Sequence, residues 1–192
     1  MAAGADVTLK DSQGASALTF AAEAAHVEAV RLLLGALGAA AAVAVDQRDS
    51  EGQTPLARVA QFGPVASTSD VDAVAVASLL LDAGADVNMA DNDGDTPLIL
   101  AAKARNVPLV QRLLARGAAT DTTNNDFHTA AAAAEAALVS VTDASERATL
   151  ERIVALCRPD GEDAAKPTAT ATAGGGGAVG ANLARRKRQK KR

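Results

Sequence analysis

The residues of this chain that could carry chemistry are two histidines, one cysteine, two Ser-x-x-Asp patterns, a glycine cluster and a basic run. Neither His26 nor His128 has a partner at a local spacing that makes a nucleophile or a metal site. His128 is expected to be exposed on a turn, and Cys157 falls at an apolar position of "RIVALC", where it reads as buried packing. "GGGAVG" from Gly175 matches the dinucleotide pattern G-x-G-x-x-G, yet no strand leads into it and no helix follows. "DNDGD" from Asp91 has the look of a calcium loop but lacks the downstream glutamate that completes one. Ser69-x-x-Asp72 and Ser140-x-x-Asp143 fit acidophilic-kinase sites; the preferred reading is that these residues cap the following helices. No active site, cofactor or metal is expected, and the chain is expected to be no enzyme.

What would position such residues is written most clearly in "GADVNMADNDGDTPLILAA", Gly84 to Ala102. Gly84 follows "ASLLLDA" and ends that helix by taking the left-handed conformation. "DNDGD" is turn chemistry, with Asp and Asn bonding their own backbone and Gly94 supplying positive φ. Thr96 then caps a new helix and Pro97 opens it, where its missing N–H is no loss.

The phrase recurs. "DSQGASALTFAA" from Asp11, "DSEGQTPLARVA" from Asp49 and "DNDGDTPLILAA" from Asp91 share Asp-x-x-Gly before Ser/Thr-(Pro/Ala)-Leu. A weaker copy, "NNDFHTAAAAAE", begins 33 residues after Asp91, and the two earlier intervals are 38 and 42 residues. Each copy is followed by a second apolar helix: "EAVRLLL", "VAVASLLL", "PLVQRLLARG" and "RIVALC". A turn and two helices at a period near 33 make this chain resemble the ankyrin-repeat family over roughly residues 4–161. The resemblance implies an all-α helical solenoid, with repeats at about 11–48, 49–90, 91–123 and 124–161. The family's usual histidine after Thr-Pro-Leu is replaced by Thr19, Ala57, Ile99 and Ala132. Its inter-helix Gly-His turn is matched by Ala25-His26, which gives His26 a structural role. The turn glycine is kept at Gly14, Gly52 and Gly94 but becomes Phe127, so the fourth hairpin is expected to be distorted or frayed.

"MAAGADVTLK" is the tail end of a repeat without its helices, so the chain is either a piece of a longer array or tolerates a poorly capped end. No polar cap is evident on either side. Inserts at 64–72 and about 139–149 fall between the helices of the second and fourth copies. No apolar run approaches the length of a membrane span, and no secretory signal is evident. One cysteine makes no internal disulfide, which fits a reducing compartment without requiring one; an intracellular location, nuclear or cytoplasmic, and a monomeric state are expected.

Charge is unevenly placed. Residues 1–184 hold all 23 acidic residues and 12 of the 19 Lys and Arg, for a net −11, whereas 185–192 carry +7. Residues 162–184 are Gly/Ala/Thr-rich and read as a disordered linker spanning about 25 Å. The tail Arg185, Arg186, Lys187, Arg188, Lys190, Lys191 and Arg192 resembles a nuclear-localisation signal that an import receptor would grip. Nonspecific nucleic-acid binding is the less favoured reading, because no aromatic residue is interleaved and the acidic body opposes phosphates. A merely solvated end, or a tail lying across the repeats, are the remaining ones.

In the ankyrin-repeat family, hairpin tips and first-helix ends line a concave groove that binds protein partners. Carried over by motif position, the contacts are Lys10, Ser12, Gln13 and Glu23 in the first copy. The second supplies Arg48, Ser50, Glu51, Gln53, Gln61 and Phe62; the third Asn92, Asp93, Asp95 and Lys103; the fourth Asn125 and His128. Phe62 reads either as an aromatic anchor for a partner or as packing under the adjacent insert. Asn88 resembles sites that an asparaginyl hydroxylase modifies, with hydrogen bonding to the hairpin backbone as the favoured alternative.

Overall fold

The computed structural model describes residues 6–62 and 70–158. Gly4, most of the first insert with Ser69, the glycine cluster, the linker and the basic tail lie outside the described residues.

The helices follow the cap chemistry. Ser16 opens α1 (Ala17–Glu23) with a capping box: its Oγ accepts from Thr19 N–H, while its own N–H donates to Thr19 Oγ1. Helix α2 spans Val27–Leu37 and ends at Gly38, φ 51°. A 3-10 turn and the short α3 (Ala41–Ala44) follow, and they absorb the residues by which the first interval exceeds 33. Helices α4 (Pro55–Phe62) and α5 (Asp70–Asp82) form the second repeat. In the third, Thr96 caps α6 (Pro97–Lys103) and Asn106 caps α7 (Val107–Ala115) through Leu109 N–H. Thr129 caps α8 (Ala130–Leu138), and Asp143 caps α9 (Ala144–Cys157) by accepting from Ser145 and Glu146 N–H. The second insert is therefore partly helix: its end forms the first turns of α9, and Asp143 has the capping role expected of it, whereas Ser140 Oγ donates back to the Ala137 carbonyl of α8 and caps nothing ahead of it.

Two layers result. Helices α1, α4, α6 and α8 pack in succession, as do α2, α5, α7 and α9 behind them. Leu18, Leu56 and Leu98 occupy one register position in three successive repeats and are buried; Ala131, in the fourth, is only half-buried. Each such leucine is held by its neighbouring layers, as a solenoid without a central core requires.

Two expectations need correction here. The run Val27–Ala44 is 18 residues long with mean hydropathy 1.8, long and apolar enough by composition to cross a membrane. The glycines and charges within it are outweighed by its Leu, Val and Ala. It carries Val30, Leu37 and Ala44 into the core, with 17% of the run buried, and its helix is interrupted at Gly38, φ 51°. The fourth hairpin, secondly, is intact. Phe127 adopts φ 62°, and Asn124 Oδ1 closes the turn by accepting from Asp126 and His128 N–H at 3.1 and 2.9 Å. The side-chain clamp outweighs the backbone cost of a bulky residue there, of order 1–2 kcal/mol.

Candidate functional site

All four hairpins use the same clamp. One carboxylate oxygen of Asp11, Asp49 and Asp91 accepts from the N–H groups two and four residues on, at 2.8–3.0 Å, as Asn124 does in the last copy. These turns replace strand pairing with an Asp-centred knot, so the tips keep one shape while the tip side chains vary.

Successive hairpins are joined by a backbone ladder. Ser50 N–H donates to Gln13 carbonyl (2.8 Å), Asn92 N–H to Glu51 carbonyl (3.1 Å), and Asn125 N–H to Asp93 carbonyl (2.9 Å). Side chains reinforce two of the three seams. Asn92 Nδ2 donates to Ser50 carbonyl and Asn125 Nδ2 to Asn92 carbonyl, each at 3.1 Å. Arg48 donates to Gly52 carbonyl and, across the seam, to Ala90 carbonyl at 3.0 Å.

A second row of contacts lies deeper. Gln53 is 4% exposed, and its Nε2 donates to Asp91 Oδ2 at 3.4 Å. One repeat on, the polarity is reversed: Asn124 Nδ2 donates to Asp95 Oδ1 at 2.8 Å, with Asp95 5% exposed. Lys103 Nζ lies 2.5 Å from the other Asp95 oxygen. Arg58 pairs with the buried Asp49 through Nε and Nη2, at 2.8 and 2.7 Å, and reaches Glu51 at 3.2 Å. Its guanidinium also stands over the Phe62 ring, 5.8 Å from the centroid.

The candidate contact residues therefore divide. Lys10, Ser12, Gln13, Ser50, Glu51, Gln61, Asn92, Asp93, Asn125 and His128 present exposed side chains, and Glu23 is half-exposed. Of the exposed residues, Arg48, Asn92, Asn125 and Lys103 are engaged within the fold. Gln53 and Asp95 are buried and tie neighbouring repeats together, so they offer a partner no surface. Phe62 is 38% exposed at the end of α4, with one face given to Arg58. Sequence reasoning passed over Phe20, which is half-exposed on α1 at the register position of Arg58 and Leu100. The available signal was an aromatic side chain at a position that is aromatic, cationic and aliphatic in turn along the array.

Other candidate residues fall outside this surface. His26 is exposed and precedes α2 without capping it through its side chain. Cys157 is buried in the core, and burial pushes its thiol up to about 11. Asn88 N–H donates to Asp86 Oδ1, and its own Oδ1 accepts from Ala119 N–H at 2.8 Å, a tie into the following repeat. Among the described residues no group of three His, Cys, Asp or Glu side chains is placed to hold a metal ion.

Comparison with known families matches residues 13–50 to the model of the ankyrin repeat, and residues 80–134 to the model of ankyrin repeats in many copies. No curated protein matches the chain.

Proposed function

The chain is an ankyrin-repeat protein, and from that premise we propose that it is a non-enzymatic module binding a protein partner through the face formed by its hairpin tips and inner helices. Ankyrin repeats are in general protein–protein interaction modules. The observation that carries the proposal for this chain is the division of labour at the hairpins. The side-chain clamps of Asp11, Asp49, Asp91 and Asn124 hold the turns, and backbone hydrogen bonds join them. Ser12, Gln13, Ser50, Glu51 and Asp93 present exposed side chains at matching positions, Asn92 and Asn125 being exposed but tied to the preceding hairpin. A rigid scaffold with a variable polar row, and with Phe20 and Phe62 exposed on α1 and α4, suits a surface where aromatic anchors supply most of the energy.

The charge of the sequence supports a second element of the proposal. The tail 185–192 carries +7, a composition that an import receptor recognises, which makes the tail an address and assigns the protein to the nucleus or cytoplasm. Phosphate binding by the tail is the alternative, and salt separates the two classes of contact: nonspecific phosphate contacts fall steeply with ionic strength.

Affinity capture with full-length chain, residues 1–163, and Phe20→Ala/Glu51→Ala/Phe62→Ala/Asp93→Ala tests the reading. These four side chains are surface residues, so the variant keeps its helicity. A partner kept by 1–163 and lost by the quadruple variant supports the groove. Partners kept by the variant but lost with the tail refute it.

A further inference from the structure

The turn glycines face the next repeat. A Cβ built on Gly14 would lie 3.4 Å from Asp49 Cα, and one on Gly94 would lie 3.0 Å from Asn125 N and 3.1 Å from Asn124 Cα. At Gly52 the space is taken by the Asn92 amide. At Gly14 and Gly94, then, a side chain would point at the backbone of the hairpin stacked beyond it, and at Gly52 into the Asn92 and Arg48 side chains that close the seam. The fourth hairpin has the same fold and the same sign of φ, but the residue is Phe127, and its side chain is 86% exposed. The Asp126 carbonyl, in the register of the Gln13, Glu51 and Asp93 carbonyls, accepts no ladder hydrogen bond among the described residues. At the other end the Ser12 N–H, in the register of the donors Ser50, Asn92 and Asn125, is likewise unused among the described residues. The two ends of the ladder are complementary to each other, an arrangement that invites open head-to-tail association of copies.

We propose that Phe127 is a stopper: its ring occupies the volume a fifth hairpin would need and closes this edge of the ladder to any further repeat, whether from the same chain or from a second copy. The backbone strain of an aromatic residue at positive φ is then the cost of protecting an edge, as natural sheets protect theirs with charges, bulges and prolines. The outer surface of α9 agrees with a terminal role, since Arg147, Glu151, Arg152 and Arg158 are exposed along it.

Moving the residue one repeat earlier tests the proposal in the full chain, read by amide hydrogen exchange. Gly94→Phe places the ring at φ 78°, near the 62° Phe127 already adopts; Gly94→Ala carries the Cβ and the backbone strain without the ring. The expected result is that Asn125 N–H and the α8 amides lose about a hundredfold of their protection in Gly94→Phe. Protection of α1 and α4 is unchanged, and Gly94→Ala, which brings the Cβ and the strain but no ring, loses about tenfold less α8 protection than Gly94→Phe. Retained α8 protection in Gly94→Phe overturns the proposal, and so does an equal loss in Gly94→Ala. A second arm inserts a copy of residues 91–123 after residue 158, with Phe127 or with Phe127→Gly. Protected amides in the added copy only beside glycine support the stopper; protection in both chains, or in neither, overturns it.

Discussion

Asn124→Asp isolates the contact between the third and fourth hairpins. An aspartate keeps the oxygen that accepts from Asp126 and His128 N–H, so the turn clamp survives. What changes is the atom facing Asp95: the donor Nδ2, now 2.8 Å from Asp95 Oδ1, becomes a second carboxylate oxygen. Two charges at that separation repel by about 6 kcal/mol at an effective dielectric near 20. The pair escapes by binding a proton, which caps the cost at about 4 kcal/mol at pH 7 for a carboxyl of ordinary pKa. Lys103, bound to the far oxygen of Asp95, offsets part of this. We expect a loss of about 2–4 kcal/mol, measured by equilibrium urea denaturation. The loss should shrink as pH falls toward 4, because the folded pair then takes up the proton that the unfolded chain holds less tightly. Asp95→Asn in the same chain restores a donor opposite the introduced carboxylate and reproduces the polarity of Gln53 and Asp91 one repeat earlier. The double variant should therefore recover at least about 1.5 kcal/mol relative to the sum of the singles. Additivity within about 0.5 kcal/mol would refute the claim that these two residues are matched.

Five further outcomes are expected. Phe127→Gly should stabilise the fold by about 0.5–1 kcal/mol in thermal denaturation, the relief of positive φ exceeding the entropy glycine adds to the unfolded chain; a loss would mean that the ring makes a stabilising contact. Arg58→Met should cost about 3 kcal/mol, because it strands the buried Asp49 carboxylate; a change below about 1 kcal/mol would show the hairpin N–H groups suffice for that charge. Ser16→Ala should lose about 1 kcal/mol by removing the capping box of α1, with amide exchange faster in its first turn. Burial holds Cys157 protonated, so a thiol reagent at pH 8 should label the native chain far more slowly than the unfolded one. Because the folded thiol titrates near 11 and the unfolded one near 9, stability should also fall as pH rises from 9 to 11; a flat profile over that window would contradict the burial.

The repeat was legible because its signals are local. Gly84 and Gly94 at φ 99° and 78°, Thr96 as a cap and Pro97 at the helix start follow from chemistry within a few residues. Phe127 misled for the same reason: the local rule against a bulky residue at positive φ is sound, but a clamp from Asn124 outweighs it. Gln53 and Asp95 look like polar tip residues in sequence, and only the neighbouring hairpin shows them buried against Asp91 and Asn124. Phe20 shows the converse, since nothing local distinguishes an aromatic packed between layers from one on the open face.

The three seams of the ladder are not equal. The second and third carry side-chain ties besides the backbone hydrogen bond, whereas at the first the position of Gln53 and Asp95 is held by Ala15, and Ser50 N–H to Gln13 carbonyl stands alone along the hairpin edge among the described residues. Under tension along the stack, hairpins act as links in series, and such a chain parts where its link is thinnest. Drawn from its two termini, the protein should surrender its first repeat before the rest and pause with three repeats still folded, giving a short first rip in the force–extension trace.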